Sequence, residues 1–130
     1  MSQPLRDLRM LLQQASGLKA DDIDVVVHSH LHRDHTGWNV VPGVEAGSRT
    51  EPLFKRARHV IQRAEWSYWT SSAALRSRCR YEDNLAPLET AGMIELVDGN
   101  VALLPGLELL LCPGHTPGHQ VVCVSADKER

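Results

Sequence analysis

The stretch Val25 to Asn39, V-V-V-H-S-H-L-H-R-D-H-T-G-W-N, constrains this 130-residue chain more than any other. An apolar β-branched run opens into His30-Leu31-His32-Arg33-Asp34-His35, and the chain then turns at Gly37. Imidazole nitrogen and carboxylate oxygen are ligands of a borderline-soft divalent cation such as zinc, at about 2.0–2.2 Å. Here four such side chains fall within six residues. Val25 to His28 is short, apolar and β-branched, and reads as a buried strand delivering the cluster to its carboxyl end. Beyond that end His30 and His32 can converge on one point while Asp34 and His35 reach another. The pattern predicts two adjacent metal positions.

An isolated histidine is more often a surface or hydrogen-bonded residue than a ligand. The tight spacing argues otherwise, and so does a second cluster, C-P-G-H-T-P-G-H, from Cys112 to His119. It follows an apolar run, Leu107 to Leu111. Pro113 and Pro117 stiffen the loop, while Gly114 and Gly118 admit backbone angles that other residues avoid. Such a loop holds His115 in place. Two strand-end histidine clusters, eighty residues apart from His35 to His115, read as one site.

His30-x-His32-x-Asp34-His35 followed by Pro113-Gly114-His115-Thr116-Pro117-Gly118-His119 resembles the metallo-β-lactamase fold superfamily of metal-dependent hydrolases. The resemblance implies that His30, His32 and His115 bind a first metal and that Asp34 and His35 bind a second, with His119 a structural member of its loop. It also implies an α/β protein with the αβ/βα sandwich of that superfamily, and hydrolysis by a metal-bound hydroxide that Asp34 helps to ligate and orient. Ser29 to Asn39 and Arg58 to Trp69 are more similar to the lactonase and organophosphate-hydrolase branch, with acyl-homoserine lactonases and methyl parathion hydrolase, than to the glyoxalase II branch.

The chain has the length of one small domain, residues 1–130, able to bury a core. Its net charge of −2 implies no charge-driven attraction to nucleic acid or an anionic membrane. No apolar run is long enough to span a bilayer, and Met1 to Gln14 carries internal charges where a signal peptide needs an apolar core. A cytoplasmic protein is expected, with a small molecule as its partner and neither nucleic acid nor membrane. Cys79, Cys112 and Cys123 form no C-x-x-C pair and read as reduced, buried thiols.

Ser2 is a helix start, and Leu5, Leu8, Leu11, Leu12 and Ala15 share one helical face, expected to pack on the sheet until Gly17 ends the helix. Lys19 to Asp24 is a polar connection, with Asp21 and Asp22 as solvated turn residues. His28 reads as a packing residue or a support for the ligands. Val41 to Pro52 reads as a loop near the site mouth, Arg58 to Gln62 as a short strand, and Ala64 to Arg80 as a helix. Trp66 and Trp69 near its start share a face that serves either as core or as an apolar wall for a substrate. Arg76, Arg78 and Arg80 read as a solvated face. Asn84 to Ala91 is a short helix stopped by Gly92, and Met93 to Val97 a strand. Asp98-Gly99-Asn100 signals a two-strand turn. Val101 to Leu104, Leu107 to Leu111 and Gln120 to Val124 complete a run of strands.

The superfamily pattern places further strands before the first motif. After the second it places a strand ending in an Asp that bridges the metals, and a final His. Asp127 reads as a polar turn residue and not as that ligand. The expected architecture is therefore a partial sandwich, four layers incomplete at both ends. A homo-oligomer or missing complementary segments would cover the exposed sheet. Two functions follow. One is a zinc-dependent hydrolase of an ester, lactone or related substrate, for which iron, manganese, cobalt or nickel would also suit the ligands. The other is a catalytically impaired or non-catalytic metal-binding fragment.

Overall fold

The computed structural model describes residues 8–43 and 50–126. Ser2, Leu5 and Asp127, read above as helix start, helix face and polar turn, lie outside the described residues. In chain order the elements are α1 (Leu8–Ser16), β1 (Val25–Val27), β2 (Val40–Pro42), β3 (Thr50–Pro52), β4 (Arg58–Gln62), α2 (Arg63–Trp69), α3 (Ala73–Arg78), α4 (Ala86–Thr90), β5 (Ile94–Val97), β6 (Val101–Leu104), β7 (Leu107–Leu111) and β8 (Gln120–Val124). Short 3-10 turns cover Ala20–Asp22, Arg33–His35 and Gly37–Asn39, and a π-helical turn covers Tyr81–Leu85.

The valine run makes β1, which pairs in parallel with β4, Val26 opposite His59. Strand β4 in turn pairs in parallel with β5, Ile61 opposite Leu96. As the central strand of the order β1-β4-β5, β4 is buried from His59 to Gln62, the burial expected of a strand covered on both faces. A second sheet, β6-β7-β8, is antiparallel throughout. Leu31, Ile61, Trp69, Cys79 and Leu85 form the buried core, with Trp66, Leu75, Tyr81, Ile94 and Leu96 packed against it. Leu31 sits between two histidines of the motif and is fully buried. The first loop is therefore anchored from within.

Several expectations are corrected. The Asp98-Gly99-Asn100 turn closes no hairpin, because β5 lies in the first sheet and β6 in the second. The Gln62 side chain holds the turn instead: its Oε1 accepts from Gly99 N at 3.0 Å and its Nε2 donates to Gly99 O at 2.7 Å. The helix expected over Ala64 to Arg80 is broken into α2 and α3. Thr70 and Ser71 hydroxyls donate to Trp66 O and Tyr68 O, and Ser72 Oγ accepts from Leu75 N as the cap of α3. Three consecutive hydroxyl side chains thus offer the backbone an alternative to continuing the helix. Val41 to Pro52 is not wholly loop, since β2 and β3 pair at its two ends, Val41 opposite Glu51.

Helix α1 ends as expected at Gly17, whose φ is 75° and whose N donates to Gln13 O at 2.8 Å. Its apolar stripe is not core, however: no residue of α1 is buried, and Met10 and Leu11 are exposed. Strand β1 is only three residues long and half-buried, too short a platform for a nine-residue helix. Among the thiols, Cys79 is buried, while Cys112 and Cys123 are exposed; all three are free. Turn geometry at Gly37 needs no glycine, because its φ is not in the left-handed region.

His28 and His59 face each other across the β1 end, Nε2 to Nδ1 at 2.9 Å, both buried. Burial, then the neighbouring His59, pulls His28 down to about 3, and burial pulls His59 to about 4. Both rings are therefore neutral in the folded chain, while the unfolded chain takes up protons near 6.5. Their contribution to stability is fully present above pH 6.5 and is lost as the pH falls from there toward 4. The urea midpoint is expected to drop between pH 7 and pH 5, and His59→Asn to flatten that drop; a wild-type midpoint constant over this interval would contradict the assignment. Leu31→Ala should cost about 2–5 kcal/mol in the same measurement, because its site is enclosed by the core.

Candidate metal centre

Strand β1 ends at Val27, and the next residues leave the sheet with His28 N still donating to Val60 O. Leu31, anchored in the core, is flanked by His30, which is buried, and His32, which is half-buried. The second loop leaves β7 and returns on β8 with Leu111 opposite Gln120. Within it Cys112 N donates to His119 O at 2.7 Å, and Gly114 N to Thr116 O at 3.0 Å. This compact turn presents His115 toward the first loop.

The potential ligand atoms of His30, His32 and His115 all lie within 4.8 Å of one another. Their ring centroids are each 4.8 Å apart and near perpendicular in pairs, as rings aimed at a common centre are. His30 is buried; its Nδ1 meets Ser29 Oγ at 2.9 Å, and its Nε2 is enclosed without a hydrogen-bond partner. A buried nitrogen left without a partner is costly unless something binds it. Burial, then the neighbouring His35, His32, His115 and His119, pushes His30 down to about 4, keeping the ring neutral as ligation requires. The donor set of three imidazoles fits a divalent transition metal.

Asp34 and His35 lie outside this three-histidine set. Both are exposed, Asp34 Oδ2 lies 3.6 Å from His35 Nε2, and the His35 ring is 4.3 Å from that of His30. His119 is half-buried, its ring 5.1 Å from that of His30 and 6.0 Å from that of His115. Trp69 is only 3% exposed, its ring 5.4 Å from that of His32, whereas Trp66 packs on the core and against Tyr81. Both indoles belong with the core, Trp69 as a buried member and Trp66 packed against it, while the Trp69 ring also borders His32. A cavity of about 610 Å³ opens beside His28, His30, Asp34, His35 and Trp38.

Glu65 is the residue that sequence reasoning passed over. It is 1% exposed, and its carboxyl group accepts three hydrogen bonds: Oε2 from Leu31 N at 2.9 Å and from Trp69 Nε1 at 2.8 Å, and Oε1 from Gly118 N at 2.9 Å. One side chain thus pins the backbone of both histidine loops. A Cβ at Gly118 would overlap the backbone of Glu65, so this glycine is demanded by close approach. The available signal was a single acidic residue among apolar and aromatic ones at the start of a helix. A second tie runs through Gln120, whose N donates to Ser29 O and whose Nε2 donates to His28 O, both at 2.9 Å. Gln62 Nε2 donates to Gln120 Oε1 at 2.9 Å and completes a buried amide chain.

No family model matches the chain. It is similar to an N-acyl homoserine lactonase of Bacillus cereus, 31% identical over 112 residues that span 86% of this chain and 37% of that protein. Among solved structures it is similar to AidC, a dizinc quorum-quenching lactonase in complex with the product N-hexanoyl-L-homoserine, at 27% identity and a TM-score of 0.65, covering 94% of this chain and 44% of the other. It is also similar in fold to AbOPH, a hydrolase of the beta-lactamase superfamily, at 21% identity and a TM-score of 0.71, covering 90% of this chain and 42% of the other. The chain therefore has part of the metallo-β-lactamase fold, as its two histidine motifs suggested. It spans less than half the length of the proteins it matches.

Glu65→Gln keeps the size of the side chain but replaces one acceptor oxygen with a donor facing backbone N–H groups. It is expected to destabilise the chain by about 2–3 kcal/mol. Urea unfolding checks this, and an unchanged midpoint would show that the three contacts carry no net stability.

Proposed function

We propose that this chain is the metal-binding part of a metal-dependent hydrolase that acts on an ester, lactone or related small molecule, with zinc as the metal. The observation that carries the reading is the convergence of His30, His32 and His115 within 4.8 Å, with His30 Nε2 buried and without a partner. Three imidazoles leave an open position, the arrangement of catalytic rather than structural zinc sites. The similarity to N-acyl homoserine lactonases supports the ester-like substrate class.

Bound there, zinc would supply Lewis acidity, lowering the pKa of water toward about 7 and polarising a carbonyl oxygen. The chain's own residues do the positioning. Ser29 Oγ engages His30 Nδ1 and so leaves Nε2 as the ligand atom. Glu65 keeps the two loops at a fixed separation by holding Leu31 N and Gly118 N. Asp34, open to solvent beside His35, orients the attacking water. Asp34 and His35 are also ligands in waiting for a second ion. Trp69 supplies an apolar edge next to His32. A second reading, a metal-binding chain with impaired catalysis, is favoured by the second position having two candidate ligands among the described residues, Asp34 and His35.

Metal content separates these readings. Protein purified without chelator is expected to hold about one zinc per chain, lost in His115→Ala. An N-acyl lactone and a p-nitrophenyl ester should then be hydrolysed faster by the loaded chain than by that variant. Zinc uptake without hydrolysis would support the impaired reading, and a folded chain that takes up no zinc would exclude both.

A further inference from the structure

Arg33 stands between His32 and Asp34, and it borders two openings beyond the cavity described above. One, of about 320 Å³, is lined by His32, Arg33, Asp34, Trp69 and Arg78. The other, of about 630 Å³, shares Arg33 and continues past Arg76, Arg80 and Tyr81. The arginines read from sequence as a solvated face therefore differ in their surroundings. Arg80 is paired with Asp83 at 2.8 Å, and Arg76 lies over the Tyr81 ring at 5.5 Å. Among the described residues no ion pair engages Arg33 or Arg78, although both stand at the smaller opening.

Two arginines without an ion pair, lining one opening, favour an anionic ligand. The planar fork of arginine matches the two oxygens of a carboxylate. Lining the same opening are two positive side chains, Arg33 and Arg78, and one negative, Asp34, a balance of +1 that suits a monoanion better than a phosphate dianion. The arginine stems offer contact to an apolar portion.

We propose that the opening between Arg33, Arg78 and Trp69 is a subsite for a carboxylate that the substrate carries away from the bond to be cleaved. The enzyme would then prefer acidic esters or lactones with an apolar segment over neutral ones. This rests on the hydrolase reading for its role, but carboxylate binding itself needs no metal.

The test is calorimetric titration of the 130-residue chain with hexanoate, in parallel with zinc and with a chelator, using hexanamide and inorganic phosphate as comparison ligands. Hexanoate is expected to bind the chelated chain, and hexanamide and phosphate to bind it at least about tenfold more weakly. Arg33→Gln and Arg78→Gln should each weaken hexanoate by about tenfold. Both side chains are exposed, so the variants keep the fold, which circular dichroism checks. Hexanoate binding that is absent, that either variant leaves unchanged, or that phosphate or hexanamide equals would overturn the subsite. Failure of zinc uptake, read separately in the same samples, would overturn the hydrolase reading and leave the carboxylate result standing on its own.

Discussion

One buried carboxyl group sets the separation of the two histidine loops. Glu65 lies at the start of α2, directly after the central strand β4, and so is fixed by the most deeply covered part of the first sheet. From there it accepts from the backbone of Leu31 on one side and Gly118 on the other. A buried carboxyl group is costly without partners. Three donors, one of them the Trp69 indole, offset that cost and at the same time determine where each loop passes. The histidine cluster is thus organised around a residue that is not one of its three histidines.

The same economy appears beneath the ligands. Leu31 fills the core and thereby decides which way its neighbours His30 and His32 face. Under them the His28–His59 pair occupies the junction of β1 and β4 as a neutral, buried couple. Gln62 and Gln120 then stitch the first sheet to the second through amide hydrogen bonds, where a purely apolar seam would have left the register of the sheets free. The two glutamine side chains specify one arrangement because their amide hydrogen bonds are made only there.

The sequence made the strands legible because their apolar runs are short and bounded: β1, β4, β5, β6, β7 and β8 lie where the patterns put them. The grouping of His30, His32 and His115 was legible because these residues lie at two strand ends, with proline and glycine framing the second. What the patterns hid were interactions between distant segments. Asp98-Gly99-Asn100 has hairpin chemistry, yet Gln62 recruits it as a bridge between sheets. The Ala64 to Arg80 stretch has helical composition, and only the hydroxyl-to-carbonyl bonds of Thr70 and Ser71 reveal the break. Glu65 and Gln120 carry no motif; their roles exist only once residues far apart in the chain have met.

The contact between Gln120 and the strand end at His28 links residues ninety-two positions apart. In kinetic terms this is a loop closure of nearly the whole described chain, and such long-range closures are slow because chain entropy is lost before contacts compensate it. The parallel pairing of β1, β4 and β5 and the local β6-β7-β8 meander can each form earlier, from shorter segments. His115 therefore joins His30 and His32 only when β8 docks across the end of β1. An ion that grips both loops would therefore act as a latch on this long-range closure.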